Sequence, residues 1–178
     1  MKRYSTPSIV IKILIVLVLT TEALADRTGR PEKRSCVAEL LSRIDADIVK
    51  QFRKAWAYSN SGVATVEGLV LIFRLPDGGY QARLHNRTNQ YKRVSFSWTP
   101  DIAAIVHTHP KSSDPKPSIA DEKTADACGV PIFTITMEGM YVYDPTTKQT
   151  SKVMNGLDWL KPSKWNAEVY ARVSEEKL

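Results

Sequence analysis

The most constraining feature of the sequence is the stretch 105–121, which reads IVHTHPKSSDPKPSIAD. His107 and His109 follow an apolar run, 101–106, that is predicted to be a buried strand. In a strand, residues i and i+2 point to the same face, so both imidazole rings are expected to reach one metal ion. The alternative interpretation is that the two histidines belong to an ordinary polar loop that binds no metal.

The segment after the histidines is expected to bring a carboxylate back toward them. Three prolines interrupt regular structure between residues 110 and 117, since proline lacks an N–H and restricts its neighbour. Ser118 is predicted to cap a helix that carries Asp121 in its first turn, facing the end of the strand. Two histidines and one carboxylate with an open fourth position are typical of catalytic zinc, whereas structural zinc sites are closed by four Cys and His ligands. The chain has two cysteines, too few for a closed site.

An acidic residue also stands within an apolar run. Residues 63–75 read VATVEGLVLIFRL and are predicted to contain a strand because they are rich in Val, Ile and Leu. A carboxylate buried in such a run is costly unless it is paired or functional. Glu67 is therefore a candidate site residue, and the alternative is a glutamate at a strand end that faces solvent.

Together these residues resemble the motif of the JAMM (MPN+) zinc metallopeptidases, which is an upstream glutamate followed by H-(S/T)-H-P, a short loop and S-x-x-D. The matching letters are Glu67, His107-Thr108-His109-Pro110 and Ser118-Ile119-Ala120-Asp121, and the resemblance covers about 63–145. Eight residues separate His109 from Ser118 where the family pattern has about seven, a difference that a loop absorbs easily because the cost of closing a loop depends weakly on its length. The glycine-rich surroundings typical of the glutamate are reduced to Glu67-Gly68.

The resemblance implies an α/β fold in which a central mixed β-sheet is flanked by helices on both sides, a three-layer architecture like that of cytidine deaminases. The order of predicted elements leads to the same fold class. The resemblance also implies one Zn²⁺ ion bound by His107, His109 and Asp121. Glu67 would then act as general base for a zinc-bound water nucleophile, and Ser118 would donate a hydrogen bond to the oxyanion of the tetrahedral intermediate.

The activity implied by the resemblance is hydrolysis of an amide bond by a peptidase or isopeptidase. The first alternative is a non-catalytic MPN-like binding module in the cell envelope, which would be expected to have lost ligand residues. The second is a zinc hydrolase of another bond type, such as a deaminase. A deaminase would be expected to contain H-x-E and P-C-x-x-C, and neither pattern occurs.

The first 25 residues have the pattern of a secretory signal peptide. A basic start precedes an apolar segment, 13–19, and the stretch ends in Ala23-Leu24-Ala25, which predicts cleavage before Asp26. The apolar segment is far shorter than the ~20 residues of a membrane span, so no stable span is expected after cleavage. An uncleaved anchor is the alternative.

Cleavage would remove three basic residues and one acidic residue and lower the formal net charge from +6 to +4. The remaining charges are interleaved, which favours an ordinary solvated surface over a specific nucleic-acid partner. Together with the predicted signal peptide, the family resemblance leads us to expect an exported protein, periplasmic or secreted, with a peptide, protein or peptidoglycan-peptide substrate.

The rest of the chain is predicted to be a flexible leader, 26–34, and a single domain, 35–178. The predicted helices cover 36–58, 118–128 and 166–176, and the predicted strands cover 67–75, 80–85, 91–98, 101–106, 130–137 and 140–143. The turn Pro76-Asp77-Gly78-Gly79 predicts an antiparallel hairpin between the first two strands. The cysteines, Cys36 and Cys128, either form a disulfide, as exported proteins often do, or remain two buried thiols.

Overall fold

The structure is a computed structural model that describes residues 36–64, 66–85 and 96–161. The described residues form helices α1 (Cys36–Ser42), α2 (Ala46–Tyr58) and α3 (Ile119–Cys128), with a short 3₁₀ helix at Asp158–Leu160. They also form strands β1 (Leu69–Arg74), β2 (Tyr80–Leu84), β3 (Ile102–Thr108), β4 (Ile132–Thr136), β5 (Gly139–Asp144) and β6 (Gln149–Asn155).

The strands form one mixed sheet in the order β2-β1-β3-β4-β5-β6. β3 and β4 run parallel, whereas the other neighbouring pairs of this sheet are antiparallel. A parallel pair needs a crossover connection, and α3 provides it. The carboxyl ends of β3 and β4 therefore meet at one end of the sheet, the position at which open α/β sheets bind ligands.

Alternate side chains of the central strands enter two separate cores. The first core packs Phe52 of α2 against Val70 of β1 and Val106 of β3. The second core packs Ala125 of α3 against Ile105 of β3. Helices therefore lie on both faces of the sheet, and the predicted α/β class with a central mixed sheet is confirmed.

The prediction of a single helix over 36–58 is wrong. The chain forms α1 and α2 instead, and the Asp45 side chain caps α2 by accepting the Ile48 N–H at 2.9 Å. An aspartate at this position satisfies an amide that the helix itself leaves unpaired. The predicted apolar stripe is nevertheless buried, since Leu40 and Ile48 are each 2% exposed.

The bounds of β3, β4 and β5 differ from prediction by one or two residues, and larger differences occur at three places. β1 begins at Leu69, two residues after Glu67: 59–64 form hydrogen-bonded turns, and the Gly68 N–H bonds to the Thr108 side chain and not to a strand carbonyl. β6 was not predicted, since it is a largely polar edge strand whose sequence, QTSKVMN, carries no apolar run. In the predicted strand 91–98, residues 91–95 lie outside the described residues, and 96–98 form no strand. The predicted hairpin of β1 and β2 is confirmed.

Cys36 and Cys128 are free thiols in this structure. Both line one surface cavity of about 250 Å³ at the end of the sheet where β3 and β4 begin. Partial burial raises the pKa of each thiol, and the nearby Asp144 charge adds to the rise at Cys36. The two thiols thus share the wall of one cavity, and their surroundings favour the protonated form of each.

Several predictions fall on residues that the structure does not describe. These are the signal peptide 1–25, the leader 26–34 and the helix 166–176. Among the described residues, no helix combines the length and the apolar character needed to cross a membrane.

Candidate metal centre

The two histidines lie at the carboxyl end of β3. His107 pairs in register with Leu69 of β1 and Thr134 of β4. His109 follows the strand and donates its backbone N–H to the Ile135 carbonyl at 3.0 Å. Both histidines are buried, and their Nε2 atoms lie 3.0 Å apart. The i, i+2 spacing at the end of this strand therefore brings two imidazole nitrogens to one point.

Residues 110–117, which we call the histidine loop, return the chain from β3 to α3. Lys111 donates its N–H to the Gly62 carbonyl at 2.8 Å. The Asp114 carbonyl lies 2.6 Å from His109 Nδ1, and the Pro115 carbonyl accepts the Thr134 hydroxyl at 2.6 Å. The loop is thus fastened both to a histidine and to the neighbouring strand.

Asp121 reaches the histidines from the first turn of α3. Its Oδ2 accepts the Ser118 backbone N–H and the Ser118 hydroxyl, each at 2.7 Å, and Ser118 Oγ accepts the Asp121 N–H at 3.3 Å. This reciprocal pair is a capping box, which satisfies free amides at the start of a helix. The bonds that begin α3 therefore also aim the Asp121 carboxylate at the histidines.

One atom from each of these side chains forms what we call the metal-donor triangle: His107 Nε2, His109 Nε2 and Asp121 Oδ2. The carboxylate oxygen lies 3.5 Å from His107 Nε2 and 3.9 Å from His109 Nε2, and the two nitrogens are 3.0 Å apart. A circle through these atoms has a radius of about 2.0 Å, close to the Zn–N and Zn–O bond lengths of about 2.0–2.2 Å. The residues therefore fit a single metal ion, and the Asp121 side chain, 24% exposed, opens the site to solvent.

The charge state of the triangle suits a cation. Burial opposes ionisation of Asp121, but the hydrogen bond and charge of His107, together with the bonds from Ser118, hold the pKa of its carboxyl well below the usual range. Burial and the neighbouring His107 lower the pKa of His109, which favours the neutral ring. Burial also opposes protonation of His107, but the hydrogen bond and charge of Asp121 and the charge of Glu67 raise its pKa above the ordinary value. The surroundings of the triangle thus favour a positive charge at this point.

The contact between His109 and the histidine loop selects one tautomer of the ring. A carbonyl oxygen only accepts, so the 2.6 Å contact with Asp114 requires a proton on Nδ1. A neutral imidazole with its proton on Nδ1 has a free lone pair on Nε2. Histidines that bind metals are commonly fixed in this way by a backbone carbonyl.

Ser118 is close to the triangle but is engaged with Asp121. Its hydroxyl proton points to Asp121 Oδ2 in the capping box. The role predicted for Ser118, donation to an oxyanion, therefore requires the hydroxyl to exchange this acceptor for the substrate oxygen.

Glu67 lies beside the triangle and is not one of its members. The next residue, Gly68, donates its N–H to Thr108 Oγ1 at 2.9 Å and accepts the Thr108 N–H at 3.0 Å. Glu67 therefore directly precedes the residue that bonds to Thr108, between the two histidines, and the charge of Glu67 raises the pKa of His107. Among the described His, Cys, Asp and Glu side chains, the group that could hold a metal comprises His107, His109 and Asp121.

Three groups that support the site were not predicted from the sequence. They are the carbonyl of Asp114 and the hydroxyls of Thr108 and Thr134, both of which belong to fully buried residues. A hydroxyl within a buried strand needs a hydrogen-bond partner, so the two threonines could have been found as polar residues inside apolar runs. A backbone carbonyl leaves no comparable signal in a sequence.

The assignment of this centre rests on the geometry of the chain itself. No family model, no curated protein and no solved structure matches the chain.

Proposed function

We propose that the chain is a zinc-dependent peptidase or isopeptidase of the JAMM (MPN+) type that hydrolyses an amide bond outside the cytoplasm. The observation that carries the proposal is the metal-donor triangle. Glu67 is not one of its three donors, but its charge acts on His107. Two imidazoles and one carboxylate are a donor set typical of catalytic zinc, which keeps one position open for the reaction.

The residues around the triangle divide the chemistry between them. Zinc, when bound by His107, His109 and Asp121, lowers the pKa of a coordinated water to about 7 and so supplies a nucleophile at neutral pH. Glu67 accepts the proton of the attacking water and returns it to the leaving amine. Ser118 donates to the developing oxyanion once its hydroxyl leaves Asp121. This scheme needs a carboxylate that does not bind the ion, and we assign that role to Glu67, whose charge acts on His107.

The substrate class follows from the predicted signal peptide. The best-known members of the family that the chain resembles cleave ubiquitin-like modifiers in the cytosol, which an exported enzyme would not meet. The substrate we propose is a peptide bond in an exported protein or in a peptidoglycan cross-link.

The experiment that tests this function combines metal analysis with a substrate screen. Purified protein lacking 1–25 is analysed for bound metal and is incubated with exported proteins and cell-wall peptide fragments. We expect about one zinc per chain, given the one three-donor group among the residues that the structure describes, and products that disappear on chelation and return with added zinc. The Glu67→Gln variant is the control, since it should bind zinc and yield no product.

The screen also separates the proposal from its alternative. A protein without stoichiometric metal would overturn the zinc site. A protein that binds zinc but yields no product, while retaining a peptide on affinity capture in both parent and Glu67→Gln forms, would instead be a non-catalytic binding module.

A further inference from the structure

Thr134 is a buried polar residue beside the metal-donor triangle. It lies in the strand IFTIT, has no solvent exposure and stands opposite His107 in the register of β3 and β4. Its hydroxyl donates to the Pro115 carbonyl at 2.6 Å. Burying a hydroxyl costs free energy unless it is hydrogen-bonded. The bond to the histidine loop satisfies the Thr134 hydroxyl.

The Thr134 bond is one step away from a metal-donor side chain. The carbonyl that accepts it belongs to Pro115, and the preceding carbonyl, that of Asp114, accepts the Nδ1 proton of His109. The Asp114 and Pro115 carbonyls belong to consecutive residues, so a bond that fixes the position of the Pro115 carbonyl also limits the movement of the Asp114 carbonyl. The same Asp114 carbonyl sets both the tautomer and the ring orientation of His109.

The histidine loop depends on such external bonds because it can form few of its own. Its prolines, at 110, 115 and 117, have no N–H to donate. The bonds within the loop are local: Ser113 donates its N–H to the Pro110 carbonyl, and Lys116 donates its N–H to Asp114 Oδ1. Neither of these bonds ties the 114–115 segment to the sheet, whereas the Thr134 bond does.

The geometry points to Thr134 as a positioning residue for the metal centre: its hydroxyl holds the histidine loop against β4, and the loop holds His109 with Nε2 facing the ion. This inference rests on the proposed zinc site and does not depend on the reaction catalysed there. It therefore predicts a change in metal affinity and in the His109 tautomer, both of which can be measured without a substrate.

The test compares three threonine variants by chelator competition for Zn²⁺. Thr134→Val preserves shape and removes the donor, and we expect zinc affinity to fall about 10-fold, the lower end of the effect of losing a direct partner of a metal-ligating histidine, because Thr134 acts through the 114–115 segment. Thr134→Ser retains the hydroxyl and should stay near the parent. Thr136→Val is the matched control, because Thr136 lies on the same strand, is also buried and bonds to the β4–β5 turn at Gly139 and Glu138 instead of the loop.

Nuclear magnetic resonance of the imidazole nitrogens supplies the second measurement. In the parent, His109 should carry its proton on Nδ1 with or without zinc, and in metal-free Thr134→Val the Nε2–H tautomer should become populated. Unchanged affinity and an unchanged tautomer in a folded Thr134→Val protein would overturn the inference, as would an equal loss of affinity in Thr136→Val. If Thr134→Val does not fold, the parent and Thr134→Ser decide: a His109 Nδ1 without a proton in either protein contradicts the inference.

These outcomes are separable from failure of the proposed function. A parent protein that binds no zinc would refute the zinc enzyme, while the tautomer comparison in metal-free protein would still show whether Thr134 orients His109. A parent that binds zinc, with an affinity and a His109 tautomer that Thr134→Val both leave unchanged, would leave the proposed function standing and refute the role of Thr134.

Discussion

Asp121 serves the helix and the metal-donor triangle with one carboxylate. At the third position of α3 it completes the capping box with Ser118, and a negative charge in the first turn is favoured by the helix dipole. The same carboxylate oxygen faces both histidines. Because the helix stabilises the ionised carboxylate without a metal, folding of the domain is not expected to require zinc.

This reasoning predicts the behaviour of His107→Ala. The variant should lose stoichiometric zinc and remain folded, since catalytic zinc sites contribute less to folding than structural ones and the capping box is untouched. Metal analysis and circular dichroism provide the measurements. His85→Ala, which changes a histidine outside the triangle, is the control and should bind zinc as the parent does. Full zinc retention in His107→Ala would remove His107 from the ligand set.

Glu67 is the residue whose role can be separated most cleanly from metal binding. Glu67→Gln preserves shape but cannot accept a proton, so zinc content should stay near that of the parent while turnover falls. General-base catalysis is typically worth about 10²–10⁴-fold, and the loss of kcat should lie in or above that range. The measurement is zinc content and turnover on the same preparation, with a substrate that the parent cleaves.

Two results with Glu67→Gln would contradict this assignment in different ways. Loss of zinc would make Glu67 a ligand, and the metal-donor triangle would have to be redrawn. Retention of both zinc and full activity would place the general base on another residue.

At the scale of elements, Gly68, the residue before β1, lies directly against the backbone of α2 at Ala55. A Cβ on Gly68 would lie 2.3 Å from the Ala55 carbonyl oxygen, a backbone atom that cannot move aside. Gly68→Ala should therefore destabilise the fold by about 3 kcal/mol, the upper end of the usual cost of overpacking. Denaturant unfolding measures this change.

Gly129→Ala is the comparison. Gly129 follows α3 with φ of 68°, and no atom lies where its Cβ would be placed. The substitution should therefore cost about 1 kcal/mol of stability from backbone strain alone. Equal losses in the two variants would show that the contact with α2 is not tight.

The sequence predicts elements well where local chemistry and burial agree. α3 is predicted because Ser118 caps it and Gly129 ends it, and β3 because its apolar run continues into two histidines. The break between α1 and α2 was missed because Ile44 continues the apolar spacing across it, although Asp45 is the cap that marks the new helix. β6 was missed because an edge strand needs few apolar residues.

The same distinction applies to the site. The approach of His107, His109 and Asp121 is predictable, since it depends on strand alternation and on a helix cap, which are both local. The contacts that orient them pass through the Asp114 and Pro115 carbonyls. Every residue has a carbonyl, so only the folded path of the histidine loop shows which ones are used.

At the scale of the whole molecule, the metal-donor triangle joins two layers of the fold. His107 belongs to β3 in the sheet and Asp121 to α3 on one of its faces, so an ion bound to both links the layers across the histidine loop. In an unfolded chain these donors are not held together, and the ion binds mainly the native state.

Zinc should therefore raise the free energy of unfolding, by about 2.7 kcal/mol when free zinc exceeds the dissociation constant 100-fold. Denaturant titrations with buffered zinc and with chelator measure this difference, and His107→Ala should show none of it. If the parent bound zinc stoichiometrically but unfolded at the same denaturant concentration in both conditions, the ion would not be held by donors that only the native fold brings together.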